Sequence, residues 1–176
     1  LFGVLIFHSV EGLLFGLFSS FICVTLYILL NYTKTEDIFR LYSQAVFGIV
    51  YIGGLTAFLL LLFGLPKGNL WLVILSAVTA GSDTGAYVVG TKLGKHKLCP
   101  NVSPNKTMEG ALGGLFFGML FAGIFGHMLL PEFNLVFILL AAALLTVVSI
   151  IGDLTESIIK RGTGTKDSGT ILAGHG

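Results

Sequence analysis

The sequence predicts an all-α protein that crosses a membrane several times as a helix bundle. It has 176 residues, of which 55% are hydrophobic and only 11% are charged, whereas soluble domains contain roughly 25% charged residues. Several apolar runs reach about 20 residues, the length that a helix needs to cross a hydrocarbon core of roughly 30 Å. The alternating pattern of a membrane β-barrel is absent. We therefore predict a polytopic bundle of about five full transmembrane helices, preceded by a partial span at residues 1–7.

Polar or turn-forming residues separate each predicted span from the next. A polar loop at 31–42 ends the first span, a Gly- and Pro-containing turn at 64–68 ends the second, and a long polar segment at 91–109 follows the third. A Pro-Glu turn separates the last two. Because no internal repeat or low-complexity linker is present, we expect one domain over residues 1–176. The full spans are predicted at about 12–30, 43–63, 70–90, 110–130 and 133–160.

Net charge, cysteine usage and the first residues narrow the class further. The formal net charge of +1 gives no indication of a nucleic-acid partner. The two cysteines, Cys23 and Cys99, lack the spacing of metal or redox motifs and define no disulfide framework. The chain starts at Leu1 without an initiator Met or a basic region, so we interpret residues 1–7 as the end of an interrupted span rather than a signal peptide. We therefore expect the chain to be a fragment.

The distribution of basic residues predicts the orientation. Nine of the ten Lys and Arg residues lie in the loop at 31–42, the loop at 91–109 or the tail that begins at Lys160, and Lys67 alone lies on the other side. Basic residues are retained on the cytoplasmic side of a membrane. We therefore expect these two loops and the tail to face the cytoplasm.

Two aspartates lie inside predicted spans, and both of these spans run toward the cytoplasmic side. Asp83 precedes the end of its span at Gly90 by seven residues, and Asp153 precedes Lys160 by seven. At 1.5 Å per residue, both carboxylates are on the order of 10 Å from the cytoplasmic end. Carboxylates within a membrane are costly and are usually retained for function. We predict that the two share a cation, although a polar kink stabilised by Asp83 is the structural alternative.

The end of the last span places three polar side chains on one helical face. Asp153, Ser157 and Lys160 follow each other at i, i+4 and i+7. Carboxylate oxygens suit Mg²⁺ and a Lys ammonium suits a phosphate, so this stripe predicts a metal and phosphate site. The alternatives are an Asp–Lys pair, or a Lys160 and Arg161 that only mark the membrane boundary.

The polar segment before the fourth span has two interpretations of equal weight. Thr107 is a plausible N-cap, with Glu109 in the first helical turn where it favours the helix dipole. Alternatively, a helix N-terminus with Ser103 and Lys106 nearby is suited to bind a polyphosphate.

Within the fourth span, small residues recur every fourth position, which predicts close helix packing; they are Gly110, Gly114, Gly118, Ala122 and Gly126.

The last segment of the chain carries the residues of a family signature. It contains SIIKR at 157–161, KDSG at 166–169, then Leu172 and HG at 175–176. This pattern closely resembles the signature of the phosphatidate cytidylyltransferases, also called CDP-diacylglycerol synthases. SDTGAYVVG at 82–90 and SPNKTMEG at 103–110 resemble two further stretches of that family. Ala173 departs from the family's usual Pro, Gly or Ser, and the chain ends at Gly176 before a further family aspartate, so we expect the fragment to be inactive by itself.

The resemblance implies the condensation of CTP with phosphatidic acid to give CDP-diacylglycerol and pyrophosphate. It implies Mg²⁺, alone or with a second cation, held by Asp153, and we expect Asp83 to supply a second carboxylate. Ser157 and Lys160 would act with Asp153 in catalysis by contacting phosphate. Substrate contacts are expected from Ser103, Lys106, Thr107, Arg161, Lys166, Asp167 and His175.

The expected partners are CTP, phosphatidic acid and the lipid bilayer, with no nucleic acid, and the oligomeric state, a homodimer included, stays open. The expected location is the bacterial inner membrane or its equivalent, with the active site facing the cytoplasm. Alternatives within the same superfamily are a CTP-dependent polyprenol or phytol kinase and an ether-lipid CDP synthase. From different classes, a cation transporter or a purely structural membrane subunit would also be helical, but a transporter would not need the basic loop at 91–109.

Overall fold

The computed structural model describes residues 9–34 and 37–162. Within these ranges, five helical segments are long and apolar enough to cross a membrane, as the sequence predicted. The helices are α1 (Val10–Leu30), α2 (Ile38–Gly48), α3 (Leu55–Phe63), α4 (Gly68–Leu93), α5 (Met108–Leu129) and α6 (Leu135–Gly162). A 3₁₀ turn at Tyr32–Lys34 follows α1, and α2 and α3 form one span through a π-helical segment, Ile49–Gly54. The predicted partial span at 1–7 lies outside the described residues.

The chain divides into two compact units, residues 1–72 and 73–176, with the boundary inside α4. The prediction of a single domain stays a prediction. In the first unit, α1 packs against the second span. The hydroxyl groups of Thr25 and Tyr42 lie 3.2 Å apart, and the rings of Phe21 and Tyr42 meet edge to face at 5.9 Å.

The second span begins earlier than the sequence predicted. Its start was expected at about residue 43, but α2 begins at Ile38. Asp37 is the N-cap, and its carboxylate accepts a hydrogen bond from the Arg40 amide at 3.0 Å. An N-cap that satisfies a free amide stabilises the first turn, so the helix continues into the polar loop.

The second unit contains the rest of α4, a β-hairpin, α5 and α6. The hairpin strands are β1 (Lys97–Cys99) and β2 (Ser103–Thr107), paired antiparallel with Lys97 opposite Thr107 and Cys99 opposite Ser103. This hairpin occupies the segment for which the sequence predicted only a long polar loop. It connects α4 to α5 and places β2 directly before the first residue of α5.

Glycines bring α4 and α5 into backbone contact. A Cβ atom added to Gly85 of α4 would lie 2.7 Å from the Gly113 carbonyl oxygen. One added to Gly114 would lie 3.0 Å from both the carbonyl oxygen and Oγ of Ser82. The other side of α5 meets α6, where a Cβ on Gly118 would lie 2.6 Å from Thr146 Oγ1. The predicted packing role of the small residues is confirmed, because all five are buried. Such residues allow helix backbones to approach closely in a membrane.

Candidate active site

A pocket of about 710 Å³ opens within the second unit, between α4, the hairpin, the start of α5 and α6. Asp83 reaches it from α4 and Asp153 reaches it from α6. The two aspartates that the sequence placed at equal depth therefore face one space. This arrangement depends on α5, whose small residues allow α4 and α6 to pack on either side of it.

The hairpin adds a positive charge to this pair of carboxylates. The ammonium group of Lys106 donates a hydrogen bond to Asp153 Oδ2 at 2.6 Å. Asp83 lies close enough to interact electrostatically with both Asp153 and Lys106. The side chains of Lys106 and Asp153 remain 29% and 50% exposed, so water can reach and screen the pair. The three side chains form a cluster with a formal charge of −1 that is accessible to an incoming ligand.

Thr107 fixes the strand end that carries Lys106. Its hydroxyl accepts a hydrogen bond from the Gly110 amide at 3.1 Å, and the residue is buried, which confirms the predicted N-cap of α5. The Met108 amide also donates to the His96 carbonyl at 2.9 Å. The helix start and the hairpin are therefore joined immediately next to Lys106.

Glu109 has a role that the sequence did not predict. Its carboxylate accepts hydrogen bonds from the amides of Lys95 and His96 at 3.1 and 3.2 Å, and it lies 2.7 Å from His96 Nδ1. Hydrogen bonds to an ionised carboxylate are stronger than neutral ones. Glu109 thus connects the first turn of α5 to the segment that leaves α4, in addition to occupying the dipole-favoured position that the sequence predicted.

The remaining predicted residues of α6 lie outside the pocket lining. The stretch is helical as expected, and the Ser157 hydroxyl donates to the Asp153 carbonyl at 2.9 Å. The Lys160 ammonium lies 3.0 Å from Glu156 Oε1 rather than next to the Asp153 carboxylate. Arg161 is exposed in the last turn of the helix.

The other predicted substrate contacts divide into two groups. Ser103 opens β2 opposite Cys99, at the far end of the strand from Thr107. Lys166, Asp167 and His175 lie outside the described residues.

Several side chains that line the pocket were not among the site residues predicted from the sequence. Tyr87 and Thr91 continue the helical face of Asp83 at four-residue spacing, so helical periodicity was a signal that could have found them. Lys97 and Asn105 reach the pocket only because the hairpin folds back, and Ser149 reaches it because α6 packs on α5. No local pattern in the sequence indicates these last three positions.

The donor set suits a magnesium ion. Mg²⁺ is usually held by one or two carboxylates and completes its octahedral shell with substrate phosphates and water. Asp83 and Asp153 supply the two carboxylates on one pocket. Among the residues that the structure describes, no group of three or more His, Cys, Asp or Glu side chains is placed to hold a metal. Two carboxylates on one pocket fit a cation that completes its coordination shell with phosphate oxygens and water.

The fold and the pocket define an integral membrane protein with an acidic, lysine-containing site at one end of its helices. The chain belongs to the cytidylyltransferase family, whose sequence model matches residues 2–176. This match confirms the resemblance that the motifs had indicated.

Curated relatives from several bacteria show the same similarity. The phosphatidate cytidylyltransferase of Bacillus subtilis is 37% identical over 162 residues, which are 92% of this chain and 59% of the relative. The phosphatidate cytidylyltransferases of Staphylococcus saprophyticus and Staphylococcus aureus are each 37% identical over 155 residues, 85% of this chain and 58% of the relative. The chain thus spans a little under three fifths of the length of these relatives.

Proposed function

We propose that the protein transfers the cytidylyl group of CTP to phosphatidic acid, producing CDP-diacylglycerol and pyrophosphate. The observation that carries this proposal is the cluster of Asp83, Asp153 and Lys106 on one pocket of a membrane-embedded helix bundle. Membership of the cytidylyltransferase family and the names of the relatives support it.

The reaction requires positioning and charge neutralisation more than acid–base chemistry. An anionic phosphate oxygen of phosphatidic acid attacks the α-phosphorus of CTP, and the bond from that phosphorus to the oxygen bridging to the β-phosphate breaks. Pyrophosphate leaves with the electron pair of that bond. Because the nucleophile is already ionised, no protein base has to remove a proton from it. In phosphoryl transfer, proteins act chiefly by aligning the reactants and stabilising charge.

Asp83 and Asp153 would hold Mg²⁺, alone or with a second cation. When bound there, the metal would neutralise charge on the triphosphate. Lys106 carries a compact ammonium charge on a flexible stem, and it already lies at the carboxylates. We propose that its ammonium leaves Asp153 and binds a phosphate oxygen when the nucleotide binds.

The other predicted side chains take supporting roles in this proposal. The Thr107 hydroxyl is engaged by the Gly110 amide, so Thr107 acts by holding Lys106 in place. We keep Ser157 and Lys160 as groups that contact phosphate, together with Ser103, Arg161, Lys166, Asp167 and His175. For Lys160, this role requires that its ammonium leave Glu156.

We further propose that the pocket faces the cytoplasm of a bacterium. The basic residues of the hairpin segment and of the end of α6 support this orientation. CTP is available on that side, whereas phosphatidic acid would reach the pocket laterally from the bilayer. Family membership does not by itself distinguish phosphatidic acid from other acceptor lipids, since a polyprenol or an ether lipid would also come from the bilayer.

The test is conversion of radiolabelled CTP into a lipid-soluble product by the protein expressed with its complete reading frame. We expect product only when phosphatidic acid and Mg²⁺ are both present, and none with a polyprenol as the acceptor. Asp153→Asn should lower turnover by more than about 100-fold, because loss of a metal ligand removes several kcal/mol of charge stabilisation.

Asp37→Asn is the matched control for this experiment. Asp37 caps α2 in the first unit, and Asn preserves the capping oxygen, so turnover should stay within twofold of the wild type. Full activity of Asp153→Asn would remove Asp153 from the metal site. Cation uptake into liposomes without CTP would instead favour a transporter.

A further inference from the structure

The candidate active site extends beyond its carboxylates, toward the hairpin end of α4. Asp83, Tyr87 and Thr91 line the pocket at four-residue intervals and therefore share one helical face. At 1.5 Å per residue, Tyr87 is about 6 Å and Thr91 about 12 Å from Asp83 along the helix axis. The pocket is thus long enough to bind more of a nucleotide than its phosphates.

This second region differs in chemistry from the charge cluster. Tyr87 is 71% exposed, and Asn105 is an exposed residue of β2 next to Lys106. Neither side chain makes a hydrogen bond or ion pair with another residue in the described ranges. The described lining of the pocket contains no carboxylate besides Asp83 and Asp153. An aromatic face and a free amide are therefore available beside a site that fits phosphate and metal.

We infer that Tyr87 and Asn105 form the subsite for the pyrimidine base of the nucleotide. The base stacks on the Tyr87 ring, since aromatic side chains bind nucleobases through their π-faces. The Asn105 amide, which has both a donor and an acceptor, pairs with the polar edge of the base. This inference rests on the proposed function and adds to it the residues that bind the nucleoside part of CTP.

The position of the region in the bundle favours the base over the lipid as its occupant. α4 ends at Leu93, and the hairpin follows it directly, so Tyr87 and Asn105 lie on the side of the carboxylates that leads out of the apolar part of the bundle. The opposite side of the carboxylates is lined by Ser149 and Ile150 of α6. A nucleotide arrives from water and a lipid arrives from the bilayer, so the base fits the hairpin side and the lipid phosphate fits the α6 side.

A tyrosine near the end of a membrane helix can also be an interfacial anchor, and the experiment separates these two roles. The dissociation constants of CTP and of pyrophosphate are measured by calorimetry, with Mg²⁺, on the protein with its complete reading frame in nanodiscs. Pyrophosphate contacts the charge cluster but has no base. Tyr87→Leu should weaken CTP binding about 5- to 100-fold and change pyrophosphate binding less than twofold.

Two further variants and one control complete the experiment. Tyr87→Phe keeps the ring and should bind CTP within about threefold of the wild type, whereas Asn105→Ala should lose about 3- to 10-fold of CTP affinity through one hydrogen bond. Tyr27→Leu is the control, because Tyr27 is a similarly exposed tyrosine, 62%, on α1. It should leave both ligands unaffected.

Each outcome decides between the possibilities. Equal loss of CTP and pyrophosphate affinity in Tyr87→Leu, or no loss of either, would overturn the base subsite. If Tyr87→Leu does not fold, Asn105→Ala gives the decision: a loss of CTP affinity without a loss of pyrophosphate affinity supports the subsite, and an equal loss of both or no loss of either overturns it. If the wild-type protein makes CDP-diacylglycerol but Tyr87→Leu binds CTP as tightly as the wild type, the base subsite is rejected and the proposed function stands. If CTP affinity depends on Tyr87 but the wild-type protein makes no lipid product, the proposed function is rejected and the base subsite stands.

Discussion

The ammonium of Lys106 lies 2.6 Å from Asp153 Oδ2 and thereby joins β2 to α6 across the pocket. The same carboxylate is the one that the family resemblance implies as a metal ligand. A lysine at this position neutralises part of the repulsion between Asp83 and Asp153. It also competes with any cation that these carboxylates bind. Its removal should therefore change cation affinity and CTP affinity in opposite directions.

Lys106→Gln should strengthen divalent-cation binding and weaken CTP binding. Removing the ammonium frees Asp153, and a partly exposed ion pair contributes at most about 1 kcal/mol, so Mn²⁺ affinity without nucleotide should rise about 2- to 5-fold. The KM for CTP should rise about 10- to 100-fold, because the charged hydrogen bond that we propose between Lys106 and phosphate would be lost. Electron paramagnetic resonance of Mn²⁺ and steady-state kinetics measure the two effects.

Lys92→Gln is the control for this prediction. Lys92 is a basic residue in the last turn of α4 that does not line the pocket, and its replacement should change neither quantity by more than twofold. Weaker Mn²⁺ binding in Lys106→Gln would contradict the competition between the lysine and the cation.

Glu109→Ala should loosen the segment between α4 and β1 and lower catalytic efficiency. The change removes the acceptor for the Lys95 and His96 amides, so deuterium exchange at these two positions should accelerate. Because Lys106 is positioned through this hairpin, kcat/KM should fall roughly 10- to 100-fold, the scale of a misplaced contact. Glu11→Ala, in the first turn of α1, should leave both measurements unchanged. Unaltered exchange at 95 and 96 would show that other contacts hold the segment.

Thr107→Ala should destabilise the protein through loss of the α5 N-cap. The hydroxyl that accepts from the Gly110 amide is removed, which costs typically about 1 kcal/mol. Thr107→Ser retains the hydroxyl and should keep most of the thermal stability. The melting temperatures of the two variants in detergent provide the comparison, and equal melting temperatures would argue against a stabilising cap.

Gly118→Ala should disrupt the packing of α5 against α6. The new Cβ would lie 2.6 Å from Thr146 Oγ1, and Thr146 is fully buried, so overpacking should cost about 1–3 kcal/mol. Gly123→Ala is the matched control, because among the described residues its Cβ would have one neighbour within 4 Å, Leu139 Cδ2 at 3.5 Å. Thermal unfolding should show a loss for Gly118→Ala and little change for Gly123→Ala.

Thr146→Ala should rescue Gly118→Ala, since it removes the group with which the new methyl collides. Loss of the hydroxyl itself should be tolerated, because Thr146 Oγ1 has no hydrogen-bond partner among the described residues, and an unsatisfied buried hydroxyl contributes no stability. A double variant no more stable than Gly118→Ala would place the strain elsewhere.

Much of the fold follows from local sequence patterns. Span length and hydropathy predicted the five membrane helices, and the four-residue spacing of small residues predicted the buried face of α5. The sequence offered Thr107 as a plausible N-cap, with equal weight to a phosphate-binding role, because capping depends on residues within one turn, and the structure confirms the cap. The start of α2 at Ile38 was missed, because hydropathy marks the apolar part of a helix and not the polar turn that Asp37 caps.

The sequence by itself determined that the chain is a helical membrane protein of the cytidylyltransferase type and that two aspartates lie at similar depth. Only the tertiary structure decided that Lys106, and not Lys160, pairs with Asp153, and that Glu109 connects α5 to the end of α4. The physical reason is that helical periodicity determines the face on which a side chain lies, whereas its partner depends on which elements pack next to it. Here the glycine contacts of α5 and the fold-back of the hairpin make that choice.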